Sequence, residues 1–149
     1  MELYKFVKVC LLTMGILVSV SVQADPYTSA IAISRCAGQM SMLAATLPDQ
    51  SAAKALNERV NGWRVAAVME LILDGWGKDK AFTVVDSEKT TTETALLAKI
   101  SVSLNGANDS EKRLRFEEFS NDIMMSFNAC LIHNDRVEVL IRKMRESQK

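Results

Sequence analysis

Apolar positions along the chain recur mostly at steps of three and four, the period of an amphipathic helix. From about Thr28 to Leu47, Cys36, Met40, Leu43 and Leu47 form one stripe that Ala37 and Ala44 widen. Pro48 then prevents easy continuation, because its ring crowds the preceding turn and it carries no N–H. A second segment begins at Asp49 or Ser51, either a good N-cap, and runs to Asp74. Leu56, Val60, Trp63, Ala67 and Leu71 share one of its faces, and Gly75 and Gly77 end it.

Residues Gly75 to about Ser87, GWGKDKAFTVVDS, lose the period and bring in Phe82, Val84 and Val85. They read as a long connection with room for a short extended piece. A weaker third helix is predicted from about Thr91 to Leu104, with Leu97, Ile100 or Ser101, and Leu104 on its apolar side, and it stops at Asn105-Gly106. The fourth helix has the strongest signal. Asp109 or Ser110 caps it, and Phe116, Phe119, Ile123, Phe127, Cys130, Asn134, Val137, Ile141 and Met144 keep an average step of about 3.5 residues. Its polar member, Asn134, reads as a register-fixing residue, with a polar contact in a ligand cavity as the functional alternative. Together these segments predict an all-α fold, a four-helix antiparallel up-down-up-down bundle with a long connection between its second and third helices.

The first 24 residues do not belong to that pattern. Lys5 and Lys8 precede an uncharged apolar run from Val9 to Val22, followed by Val22-Gln23-Ala24. This is the layout of a cleavable signal peptide, cut before Asp25, and the run is shorter than the roughly 20 residues that a membrane-spanning helix needs. The expected domains are therefore a leader, 1–24, and a single helical domain, 25–149. The localisation expected is periplasmic or secreted, with no stable membrane insertion after cleavage.

Charge narrows the partners. The full chain carries 18 basic and 18 acidic residues; the leader removes Lys5, Lys8 and Glu2, which leaves 16 against 17, or −1. A near-neutral surface exerts no general pull on nucleic acid or on an anionic membrane.

Of the three cysteines, Cys10 leaves with the leader, and Cys36 and Cys130 remain as an even pair in an oxidising compartment. Their bond is expected to join the first and fourth helices and to close a loop of about 94 residues, for which the chain-entropy relation gives roughly 4 to 5 kcal/mol. Across antiparallel helices that bond makes the numbers of opposed residues sum to about 166. His133 then lies near Ile33, and Met40 near Ser126 or Phe127.

This register argues against several chemistries around Cys130 and His133. A haem held by Met40 or Met42 together with His133 would need ligands that lie about seven to nine residues apart along the axis, roughly 10 to 14 Å. Cys130-x-x-His133 puts two ligand types on one helical face, but zinc sites generally use four ligands and an oxidised sulfur is not a thiolate. Oxidation likewise removes a nucleophile. The chain has no Gly-rich phosphate loop, no His-Glu-x-x-His and no Gly-x-Ser-x-Gly. No catalytic residue, cofactor site or metal site is assigned, and His133 reads as a surface or boundary histidine.

Two functions fit such a chain. The first is a non-enzymatic binding, inhibitory or immunity-type module acting on a periplasmic partner, either another protein or a homodimer mate. The alternative is a carrier of a small apolar ligand in a cavity between helices. The abundance of alanine in the first two helices, which suits close packing, favours the first. The candidate surface is the carboxyl-terminal end. By the register, residues beyond about 138 overhang the first helix, yet Val137, Leu140, Ile141 and Met144 keep an apolar stripe there, flanked by Arg136, Arg142, Lys143 and Arg145. Either the 75–90 connection covers this stripe, or it is a patch for a partner.

Overall fold

The computed structural model describes residues 25–147. The leader, 1–24, lies outside the described residues, and so does the proposed cut before Asp25. Four long helices and a short fifth follow one another: α1 (Pro26–Thr46), α2 (Gln50–Leu73), α3 (Lys78–Leu104), α4 (Asp109–Cys130), a 3-10 turn at Leu131–His133, and α5 (Asn134–Glu146). The described chain is all-α and contains no strand. No described helix is long and apolar enough to cross a membrane.

The local stops explain the boundaries. The Asp25 carboxylate accepts from the Thr28 N–H at 3.3 Å, and Pro26 takes the first helical position, where a missing N–H is harmless. Asp49 caps α2 by accepting from the Ser51 N–H at 2.8 Å. At the end of α2 the backbone turns through Gly75 at φ 90°, a left-handed conformation that costs glycine little. Asn108 and Glu111 cap α4 reciprocally, each side chain 3.0 Å from the other residue's N–H.

α1 is the central element. Twelve of its residues are buried, and they lie around most of its circumference, because α2, α3 and α4 all pack on it. This is why its sequence is rich in alanine and serine and carries Arg35 as its one charge. Ser34 is completely buried and donates its hydroxyl proton to the Ala30 carbonyl at 2.7 Å, which satisfies it within the helix. Gly38 is the closest approach: a Cβ there would stand 2.8 Å from the Lys89 carbonyl oxygen and 3.0 Å from the Thr92 Cβ.

That contact corrects the reading of residues 75–90. They form no long connection and no extended piece. α3 begins at Lys78 and leaves only Asp74–Gly77 between the helices. Ala81 and Val85 are fully buried, and Leu96 and Ile100 continue the same face. Lys89 and Thr92 lie between them at the α1 crossing, where a bare Gly38 admits backbone and a short side chain in place of a large apolar one. A stripe with polar members at its closest contact hides its period from a hydrophobicity reading.

The second correction concerns the fourth helix, which is not continuous. The 3-10 turn at Leu131–His133 separates α4 from α5, and α5 packs on α2 instead of continuing along α1. Beyond the turn the buried positions are Val137 and Leu140; Ile141 and Met144 are only partly covered. Trp76 and, from α3, Phe82, Val84 and Val85 belong to the same continuous core as Val137 and Leu140, while α5 itself packs on α2.

Candidate interaction surface

Cys36 and Cys130 are bonded, with S–S 2.05 Å and Cα–Cα 5.7 Å, and both are buried. The bond fastens the last residue of α4 to the middle of α1, immediately before the 3-10 turn. Gln39, one helical turn along α1, places its side-chain amide 3.3 Å from the Cys130 sulfur.

Directly past that fixed point the chain changes partner. Val137 and Leu140 join the core that contains Val60, Trp63, Ala66 and Ala67 of α2, and the small Gly62 leaves room for Ile141. Arg136 reaches Glu70, the one buried charged residue among the described residues, with Nη2 2.7 Å from Oε1 and Nε 2.9 Å from Oε2. Asn134 lies at the edge of this contact. Its Oδ1 accepts from Arg59 at 3.5 Å and its Nδ2 donates to Glu138 at 3.0 Å. It therefore has a structural role in the α2–α5 contact, away from any seam with α1. Of the six residues assigned to the carboxyl-terminal patch, Val137 and Leu140 lie inside, Ile141 and Met144 are half-buried, and Arg142 and Lys143 face solvent.

A second apolar stripe, absent from the sequence reading as a separate face, runs along the flank of α4. Phe116, Ser120, Met124, Phe127 and Leu131 follow at steps of four, four, three and four, beside the buried line of Phe119, Ile123 and Cys130. Phe116 is 39 % exposed, Met124 48 % and Leu131 49 %. Met125, Ile132, Leu97 and Val102 are also exposed, so apolar surface concentrates on α4, on the turn after it and on the last part of α3. The opposite flank of α4 meets α3 through Lys99 and Asp122 at 3.1 Å and through Arg115, which donates to the Ser103 carbonyl. The groove there, lined by Gln39, Leu96, Lys99, Phe119, Asp122, Ile123 and Ser126, holds about 90 Å³. Pockets for drug-sized ligands begin at roughly 300 Å³.

The remaining polar features hold the helices together. Arg64 of α2 forms two hydrogen bonds with Asp86 of α3, Nη2 to Oδ2 at 2.7 Å and Nε to Oδ1, and lies over the Phe82 ring at 5.0 Å. The hydrogen bond from Arg64 lowers the pKa of Asp86, and the bond to Asp86 raises that of Arg64. Arg35 joins α1 to α3 through Glu88 at 3.0 Å. At the end where α1 begins, Tyr27 stacks on Trp76 at 5.5 Å, and the Lys80 ammonium lies 4.5 Å from the same indole. His133 sits in the 3-10 turn, half-buried, and burial lowers its pKa. Among the described residues no group of three His, Cys, Asp or Glu side chains gathers to hold a metal.

Comparison with protein-family models, curated proteins and solved structures finds no match to this chain. Glu70 was legible in principle: it takes the next heptad step after Leu56, Val60, Trp63 and Ala67, where an apolar residue belongs. A carboxylate on a core stripe announces a cationic partner, and α5 supplies Arg136.

Proposed function

We propose that the chain is an exported, disulfide-fastened helical module that acts without catalysis by binding a partner protein in the periplasm, in the manner of an inhibitor or immunity protein. The observation that carries this reading is the exposed apolar stripe of α4, Phe116, Met124 and Leu131. Apolar residues exposed singly are ordinary on a monomer, but a run of them along one helix face is the form a docking surface takes. The bond between Cys36 and Cys130 suits an oxidising compartment, and the Asp25 cap lets α1 begin where the leader would end.

The reading includes antiparallel up-down-up-down order for the first four helices. Three short connections support it, and so do paired contacts. Arg35–Glu88 and Gly38–Thr92 advance together along α1 and α3, whereas Cys36 meets Cys130 and Leu43 packs with Ile123. The alanine-lined packing of α1 on α2, with Ala30, Ala37, Ala66 and Ala67 all inaccessible to solvent, supports a solid binding module over a ligand carrier.

The test is affinity capture from a periplasmic extract by the oxidised mature chain, alongside Phe116→Asp and Met124→Asp variants of unchanged helicity. The reading expects a stoichiometric protein bound by the wild type and lost, at least tenfold, by both variants. Capture that ignores these substitutions, or no specific protein at all, would reject it.

A further inference from the structure

The joint between α4 and α5 is built unlike the rest of the fold. Its three residues, Leu131–His133, bury no side chain completely, and no side chain caps either the turn or α5. Leu131 is 49 % and Ile132 80 % exposed. Yet the apolar stripe of the sequence runs through the joint without losing phase, from Phe116 to Met144, as one unbroken helix would. On the far side, α5 makes its contacts as a unit with a single surface of α2, through Val137, Leu140 and the Arg136–Glu70 pair. The disulfide holds α4 just before the joint, so α5 can leave α2 without disturbing α1.

We propose that α5 exchanges between two copies of this chain: the 3-10 turn straightens, α4 and α5 become one helix, and each α5 occupies the α2 surface of the other copy. A helix from Asp109 to Glu146 is about 57 Å long and carries α5 roughly 20 Å past Cys130. It leaves behind an apolar surface at Val60, Trp63, Ala66 and Ala67 and a buried carboxylate without its cation. A second copy's α5 carries the apolar residues and the arginine that this surface fits. Every α2–α5 contact re-forms between chains, the 3-10 turn gives way to regular helical hydrogen bonds, and the interface closes with two-fold symmetry. The inference is independent of which partner protein the module binds.

The test uses two charge-reversed full-length mature chains, Glu70→Arg and Arg136→Glu. Each alone sets like charges against each other at the α2–α5 contact, within the monomer and within its own exchanged dimer. In an exchanged heterodimer both pairs are restored: the introduced arginine of one chain meets the introduced glutamate of the other, and the native Glu70 and Arg136 meet at the second site. Light scattering after gel filtration should show the separate variants as monomers and the equimolar mixture as a 1:1 dimer, at least tenfold tighter than either variant with itself. A mixture that stays monomeric overturns the proposal. Should either variant lack native helicity, the exposed Ile132 decides. Ile132→Ala, which favours the straight helix, should raise the dimer fraction of the concentrated protein severalfold over Ile132→Gly; equal fractions in the two overturn the exchange.

Discussion

Glu70 is 3 % exposed, and the cation that touches it, Arg136, lies 66 residues later in the chain. The two are held by hydrogen bonds from two guanidinium nitrogens, so the carboxylate has exchanged water for a fixed partner. Removing that partner costs more than the pair itself contributes, because the charge left behind remains buried. Arg136→Ala is expected to lower the unfolding free energy by about 3 to 5 kcal/mol, whereas replacing Glu70 and Arg136 together by leucine and methionine should be nearly neutral. Urea unfolding followed by circular dichroism distinguishes the two. A single and a double variant of equal stability would show that the pair is not a coupled unit.

The bond between Cys36 and Cys130 restrains the unfolded chain over 94 of its 149 residues. Replacing both cysteines by serine is expected to cost roughly 4 to 5 kcal/mol through the loop-closure relation. Intact mass spectrometry of the wild type should also show a gain of about 2 Da on reduction, one hydrogen for each sulfur released. Protein recovered from the periplasm with two free thiols would contradict the assignment.

The break at Leu131–His133 moves the buried line on α5 by one position. Leu140 is completely inaccessible to solvent, and Met144 is only half-covered. Leu140→Ala should therefore cost about 2 to 5 kcal/mol, and Met144→Ala less than about 1 kcal/mol. On α4, Phe119→Ala should cost about 3 to 5 kcal/mol, with a smaller loss for the half-buried Phe127. The reverse order at 140 and 144 would mean that α4 and α5 form one straight helix in the monomer.

Acid acts through two windows. His133 has a folded pKa below its ordinary 6.5 because burial disfavours the imidazolium. The unfolded chain therefore takes up the proton first, and the stability present above about pH 6.5 declines as the pH falls toward the lower folded value. Asp86, held below 3.8 chiefly by its hydrogen bond from Arg64, contributes stability that is lost only in more acidic solution. Thermal unfolding measured from pH 8 to pH 3 should show both declines in the wild type. His133→Gln should abolish the upper one alone, and a profile unchanged by that substitution would exclude His133 as its source.

Much of this fold was legible in the sequence where one helix face meets one apolar neighbour. α1, the stop at Pro48 and the face of α2 follow from spacing, and the pairing of Cys36 with Cys130 from the even count left after the expected leader. The start of α3 was obscured because its closest contact is made by Gly38, whose signal is the absence of a side chain, and by the polar Lys89 and Thr92 opposite it. The break after Cys130 was obscured for a different reason. The stripe from Phe116 to Met144 satisfies a single straight helix, and only the three-dimensional competition between α1 and α2 for Val137 and Leu140 selects the bend. The candidate surface was visible only in part, since apolar residues at helical spacing do not reveal which of two adjacent stripes is covered.

The covalent link between α1 and α4 also decides how the molecule responds to being pulled. Tension applied at its two ends passes from Cys36 straight to Cys130, so α2, α3 and almost all of α4 carry none of the load. Only the first turns of α1, and α5 with its joint, can pay out. The 94-residue segment between the sulfurs, which would otherwise extend by about 310 to 340 Å, stays slack. Any machine that threads this protein as a single extended strand, through a narrow pore or into a protease, must therefore meet it before the bond forms or after it is reduced.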